Sequence, residues 1–279
     1  MKNAKLQARF LRLAVYTGAA CTLLVLAVIV GYILFKGVRH ITPSLFAWKY
    51  TSDNVSLTPA LVNTVLMTAL SLLLAIPLGV GAAIYLGEYA KRGSLLVKLV
   101  RLTAETLSGI PSIIYGLFGA LFFVVALKMG LSLLSGALTL SIMILPLIMR
   151  TTEEALLCVP DMYREGSFGL GAGRLRTTFQ IVLPAAMPGI LAGVILGIGR
   201  IVGETAALIY TAGTVAALPK SVFSSTRTLS VHMYTLASEG LHIDQTYATA
   251  VVLLLLVAGI NALSAFAAKR ITRRKHGEI

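Results

Sequence analysis

Six stretches of about 20 mainly apolar residues recur along the chain, each long enough to cross the ~30 Å hydrocarbon core of a bilayer as a helix. They cover 13–35, 59–86, 103–127, 131–149, 187–210 and 249–268. With 57% hydrophobic and 13% charged residues and a mean hydropathy of +0.87, a soluble domain of 279 residues is excluded. Lipid supplies no hydrogen bonds to the backbone, so each crossing must satisfy its own. The expected class is an all-α membrane protein with six transmembrane helices.

A formal charge of +13 would suggest nucleic acid in a soluble protein. The basic residues are instead divided by the spans. With the N-terminus inside, seventeen lie in cytoplasmic segments, six in outer segments, and Arg200 falls within a span. That bias follows the positive-inside rule, places both termini in the cytoplasm, and needs lipid rather than nucleic acid as its partner.

The first span follows Lys2, Lys5, Arg9 and Arg12, as a secretory signal would. Its apolar run exceeds the ~7–15 residues of a cleavable core, so an uncleaved anchor is expected. Gly18-Ala19-Ala20-Cys21 comes too soon after these charges for a lipoprotein processing site. Cys21 and Cys158 cannot form a disulfide framework, and His40, His232, His242 and His276 lack metal-ligand spacing. Neither a metal site nor a catalytic centre is expected.

Three regions are expected. Residues 1–58 hold the N-terminal tail, first span and an outer segment; 59–268 form a five-helix core; 269–279 are a basic cytoplasmic tail. Within the core, 150–186 is a long cytoplasmic loop and 211–248 a long outer one, and long loops usually carry function. Lys128 to Gly130 is a tight turn making spans three and four antiparallel neighbours. In the outer loop, Ser225-Thr226, an apolar pattern from Leu229 to Leu236 and Gly240 predict a capped short helix at the membrane surface, suited to gating the outer mouth or receiving a partner. Pro77, Pro111 and Pro146 predict kinks in spans two, three and four. Gly189, Gly193 and Gly197 form a ridge for close helix approach, and Gly199 with Gly203 suggests a second such face.

The cytoplasmic loop carries Glu165-Gly166-Ser167, three residues, Gly171, nine residues, then Ile181-Val182-Leu183-Pro184. Phe168 and Leu170 place bulky apolar groups among Arg164, Glu165, Arg174 and Arg176, where only a partner surface could bury them. This spacing resembles the cytoplasmic "EAA" loop of bacterial ABC importer permeases. The resemblance implies a short helix in this loop that sits in a groove of the ATPase subunit. Gly166-Ser167 replaces the Ala pair of that pattern and weakens local helix propensity by about 1 kcal/mol at the glycine.

Arg200 lies near the middle of the fifth span, where a charge costs about 2.5–3.5 kcal/mol on insertion scales. Glu204 follows four residues later and is expected one turn along the same face. Arg before Glu is the weaker order for an i,i+4 pair, so both side chains are expected to line a water-filled path. A guanidinium fork matches a tetrahedral oxyanion, and a neighbouring carboxylate keeps binding weak enough for release. The other reading of the two residues is a buried ion pair that fixes helix register.

The run from Leu107 to Gly116, LSGIPSIIYG, and that from Gly199 to Gly213, GRIVGETAALIYTAG, are similar to the phosphate permeases of the Pst system. The second run, the length and the outer loop are closer to the PstA-type than to the PstC-type subunit. The resemblance implies a type I permease fold of the MetI-like kind and a role for Arg200 and Glu204 in phosphate passage. It also implies a PstC-like partner, a PstB-like ATPase dimer that uses ATP and Mg, and a PstS-like phosphate-binding protein, in a bacterial inner membrane. No G-x-x-x-x-G-K-[ST] segment is present, so this chain itself binds no ATP through a P-loop and is not expected to be an enzyme. Alternatives are the same machine for sulfate, molybdate or phosphonate, an ion-coupled carrier or anion channel, and a membrane sensor that moves nothing.

Overall fold

The computed structural model describes the backbone of residues 2–91 and 93–276, with side chains from Phe10 to Phe266 apart from positions 92 and 264. Side chains of the basic tail, 269–279, lie outside the described residues. Among those described, the chain is helical and contains no strand.

Helix α1 (Lys2–Gly37) stands largely alone, with its apolar side chains exposed along the span. At its outer end Gly37 lies against the carbonyl of Tyr247 in the last helix, and Tyr32 meets Tyr247 edge-on at 5.9 Å. Only glycine permits that approach. An outer segment, 38–57, then folds over the bundle, and Leu45 and Leu57 are buried there with Leu229 and Ala248.

Helix α2 (Thr58–Ile84) contains Pro77 and ends in a π-helical turn, Tyr85–Tyr89. The third crossing departs from the straight span expected over 103–127. It consists of α3 (Leu95–Ser108) and α4 (Ser112–Gly119, with a π-helical extension Ala120–Ala126), meeting at 100°. Pro111 has no N–H and restricts Ile110 before it, so the helix ends rather than kinks. The Leu107 carbonyl, which Pro111 cannot reach with an N–H, accepts the Ile110 N–H at 3.1 Å and the Tyr115 hydroxyl at 2.8 Å. Helix α3 exposes Leu95, Leu96, Leu99 and Leu102 and buries Val97 and Ala104.

Helix α5 (Leu133–Leu157) is the axis of the fold, packed between α2 and the fifth crossing, with Leu140, Met143, Ile144 and Ile148 buried along it. Its first N–H groups are satisfied by the returning outer loop: Leu133 and Leu134 donate to the carbonyls of Ser224 and Val222 at 3.0 and 2.9 Å. Helix α5 runs beyond the predicted end at 149 into the cytoplasmic region, so the expected loop 150–186 is mostly helical. It contains α6 (Asp161–Gly169) and α7 (Arg174–Thr177), the latter passing through a π-helical turn, Thr178–Val182, into α8 (Leu183–Gly203).

The glycine ridge of α8 faces α5. A Cβ at Gly189 would strike Ala155, one at Gly193 would strike Thr151, and Gly197 lies beside Ile148. Gly199 and Gly203 differ from expectation: among the described residues nothing approaches within 4 Å of where their side chains would stand. The fifth crossing also breaks, with α8 ending at Gly203 and α9 (Ala206–Thr211) beginning after Glu204 and Thr205.

Helix α10 (Leu229–Glu239) is the predicted outer helix, closed by Gly240 at φ +70. Its N-cap residue is Thr228 rather than Ser225 or Thr226, and one face of it is buried while Tyr234 and Ala237 to Glu239 are exposed. Leu229, Ser230, Val231, His232 and Leu236 are buried against α2, α8, α9 and the final helix, α11 (Ile243–His276).

Candidate functional site

Two regions hold the residues singled out in the sequence. The first is the break in the fifth crossing. Helix α8 stops one residue short of Glu204, whose backbone is extended at φ -73 and ψ 130. Arg200 and Glu204 therefore do not form the i,i+4 arrangement of one continuous helix, and no ion pair joins them among the described residues. Glu204 is 8% exposed and its Oε1 accepts the Ala207 N–H at 3.1 Å, capping α9 in the manner of an N-terminal carboxylate. Its carbonyl accepts the Ser230 Oγ of α10 at 2.5 Å. Ser230 thus supports the break from the outer side.

Arg200 sits half-buried in the last turn of α8, where the carbonyl end of a helix favours a cation. Tyr115 of α4 is within electrostatic reach of its guanidinium. Bare backbone at membrane depth is tolerated where protein or a polar cavity meets it. The break therefore combines a half-buried cation with polar backbone held by α9 and α10, and Glu204 makes no ion pair with that cation among the described residues.

The second region is the segment between α5 and α8. Glu165, Gly166, Ser167 and Phe168 lie on α6, which stays helical through Gly166-Ser167 despite the missing Ala pair. Glu165 and Phe168 are exposed, and Leu170 beyond the helix is 91% exposed. Gly171, at φ +81, reverses the chain in a conformation natural only to glycine. Ile181 lies in the π-helical turn, and Leu183 with Pro184 opens α8, so these three belong to the next crossing rather than to a loop. The Ser167 and Thr177 hydroxyls hydrogen bond at 2.9 Å and tie α6 to α7.

Arg164 on α6 was not singled out as a site residue from the sequence. Its Nη2 meets Glu88 Oε1 at 2.6 Å and the Leu156 carbonyl at 2.9 Å, while Nη1 meets the Val159 carbonyl at 2.7 Å. The hydrogen bonds that Arg164 donates to Glu88 raise its pKa, outweighing the opposing effect of burial. A cavity of about 650 Å³ opens beside it, lined by Leu86, Lys91, Arg101, Cys158 and Asp161. The signal available in sequence was a charged residue just past a predicted span, Glu88, and another inside a long loop, Arg164, which gives no pairing.

Among the described residues, no group of His, Cys, Asp and Glu has the geometry to hold a metal ion. At the outer end, Arg227 and His232 are buried, although both fell in what the sequence presented as loop or surface helix.

Residues 75–277 match the family described as "Binding-protein-dependent transport system inner membrane component". The chain is 32% identical over 239 residues to the probable ABC transporter permease protein YqgI of Bacillus subtilis, covering 79% of this chain and 81% of that one. It is 34% identical over 219 residues to the phosphate transport system permease protein PstA 1 of Mycobacterium tuberculosis H37Rv, covering 77% and 70%. A chain of the MetNI methionine ABC transporter, solved in inward-facing conformations, superposes with a TM-score of 0.59 at 21% identity, covering 77% of this chain and 94% of that one.

Proposed function

Since the chain belongs to the binding-protein-dependent transport system inner membrane component family, as a MetI-like ABC importer permease, we propose that it is the PstA-type half of an ATP-driven phosphate importer. The observation that carries this reading is the break at Gly203 to Thr205. It leaves Arg200 half-buried without an ion-pair partner among the described residues while Glu204 is engaged in capping α9. A guanidinium so placed offers its fork to a tetrahedral oxyanion deep in the bundle.

In this reading a PstC-like permease completes the path, a PstS-like protein delivers phosphate, and a PstB-like ATPase dimer using ATP and Mg docks on the inner face in a bacterial inner membrane. Phe168 and Leu170 on and after α6 are the apolar groups the ATPase covers, and Arg164 carries displacement of α6 to α2 and α5. Closure of the ATPase pair then biases the bundle between two arrangements.

The test is uptake by proteoliposomes containing all subunits, with phosphate, sulfate, molybdate and a phosphonate offered in turn. ATP-dependent accumulation selective for phosphate is expected. Preference for another anion would reassign the substrate. Uptake that survives removal of the ATPase but collapses with an ionophore would replace the importer with an ion-coupled carrier.

A further inference from the structure

Among the described residues Arg227 is the one fully buried arginine, 4% exposed in the outer loop just before α10. Its backbone N–H donates to the Val215 carbonyl at 3.1 Å, and its own carbonyl accepts from Asn63 Nδ2 at 3.2 Å. The guanidinium carbon lies 4.6 Å from the centroid of the Tyr50 ring, which belongs to the outer segment 38–57. Stacking occupies a face of the guanidinium and leaves its edges for hydrogen bonds.

Along one edge, Nε and Nη2 are both buried and have no hydrogen-bond partner among the described residues. The same edge is filled in two other arginines. Arg101 sets Nε and Nη2 on Glu153 at 2.9 and 2.6 Å, and Arg164 sets them on Glu88 at 3.2 and 2.6 Å. No described carboxylate is left for Arg227. Glu105 and Glu154 are with Arg150, Glu204 caps α9, Asp161 is beside Arg164, and Asp244 is beside His40. Asp53, Glu165 and Glu239 are exposed.

Buried groups surround this fork. His232 is completely buried, with the Val55 backbone against its ring and the ring edge-on to Tyr50 at 6.0 Å. Val55, in the overlying segment, is held at φ +46, a conformation that β-branched residues avoid and that marks stored strain. Buried donors in native proteins find acceptors, and a guanidinium fork fits a planar or tetrahedral oxyanion.

We propose that the Nε/Nη2 fork of Arg227 is a binding site for a small inorganic oxyanion of the phosphate class, occluded here beneath the outer segment 38–57. Three residues on, Ser230 holds the Glu204 carbonyl, so one short element supports both this outer site and the break beside Arg200. The site is then a station that an anion meets before Arg200. It rests on the phosphate reading for the choice of anion, while the unpaired fork stands independently of transport.

The test is equilibrium binding of radiolabelled inorganic phosphate to the complete complex without its binding protein. An Arg200→Gln background isolates the outer site, and one saturable site per copy is expected there. Arg227→Lys in that background keeps the charge and loses the fork, and should weaken binding at least tenfold. Equal binding by the two variants would overturn the proposal. If Arg227→Lys does not assemble, tungstate bound to the wild-type complex and located by its anomalous scattering decides the matter. A peak within hydrogen-bond distance of Nε and Nη2 supports the site, and an ordered water alone at that position sinks it. Tungstate at Arg227 in a complex that transports no phosphate would remove the transport reading and keep this site; uptake with nothing but water at Arg227 would do the reverse.

Discussion

Arg164 of α6 grips Glu88 of the α2 π-helical turn at 2.6 Å, with 15% and 8% of the two side chains exposed. The same guanidinium bonds the carbonyls of Leu156 and Val159 at and just beyond the end of α5. One side chain therefore joins three elements. Because Glu88 sits in a turn where the helical ladder is already widened, α2 accommodates movement there without breaking a regular helix.

Removing one partner of a buried ion pair strands the other, at a cost of about 3–5 kcal/mol. Arg164→Ala should therefore lower the melting temperature of the complex. Arg164→Lys, which keeps the charge and loses the bonds to Leu156 and Val159, should retain most stability and lose transport per ATP hydrolysed. The measurement is the ratio of phosphate uptake to ATP turnover in proteoliposomes. An unchanged ratio in Arg164→Lys would remove this residue from the linkage.

At the break in the fifth crossing, Glu204 and Arg200 should respond differently to substitution. Arg200→Gln removes the unneutralised cation and should abolish phosphate uptake with assembly and membrane level intact. Glu204→Gln keeps an oxygen for the Ala207 N–H and should preserve the fold, whereas Glu204→Ala loses the cap and about 1 kcal/mol of stability. Thermal melting and uptake on the same preparations separate the effects. Uptake retained by Arg200→Gln would take that residue out of the path.

The sequence made the membrane class, the glycine ridge and the short helix around Glu165 legible because each rests on local pattern. Hydropathy located the apolar runs, and small residues at four-residue spacing located the face of α8 that meets Ala155 and Thr151. Breaks in the third and fifth crossings were hidden for opposite reasons. Pro111 was visible but reads equally as a kink, and only the packed bundle decides between a kink and a 100° turn. The stretch Gly203-Glu204-Thr205 contains no proline, and the helix ends there because the Glu204 side chain and Ser230 take over its hydrogen bonds. Pairs such as Arg164 with Glu88, 76 residues apart, have no local signature at all.

Close approach of α8 to α5 sets a steric prediction. A side chain at Gly193 meets Thr151, so Gly193→Leu should separate the helices and reduce the amount of assembled complex in the membrane. Gly199→Leu meets nothing within this chain and should leave its own fold intact. Membrane levels of the two variants, expressed alone and with partner subunits, provide the check. Equal loss in both variants expressed alone would contradict the assigned faces.

Acid should act on the outer cap through His232. Burial, then the charge of Arg227, lowers its pKa to about 3, against the opposing effect of a hydrogen bond with the Val55 backbone. Arg227 is the charged group facing it, and the Tyr50 ring and Val55 backbone complete its surroundings. With the folded pKa below the unfolded one, the unfolded chain holds more protons between pH ~6.5 and ~3, so stability falls as pH drops through that window. Above ~6.5 this residue contributes no pH dependence, and within the window the slope approaches about 1.4 kcal/mol per pH unit. His232→Phe removes the titrating group while keeping a ring beside Tyr50. Melting curves of the wild-type and His232→Phe complexes from pH 7.5 to pH 4.5 should diverge on acidification, the wild type losing stability more steeply. Parallel curves would mean that the buried imidazole does not control the acid response of the cap.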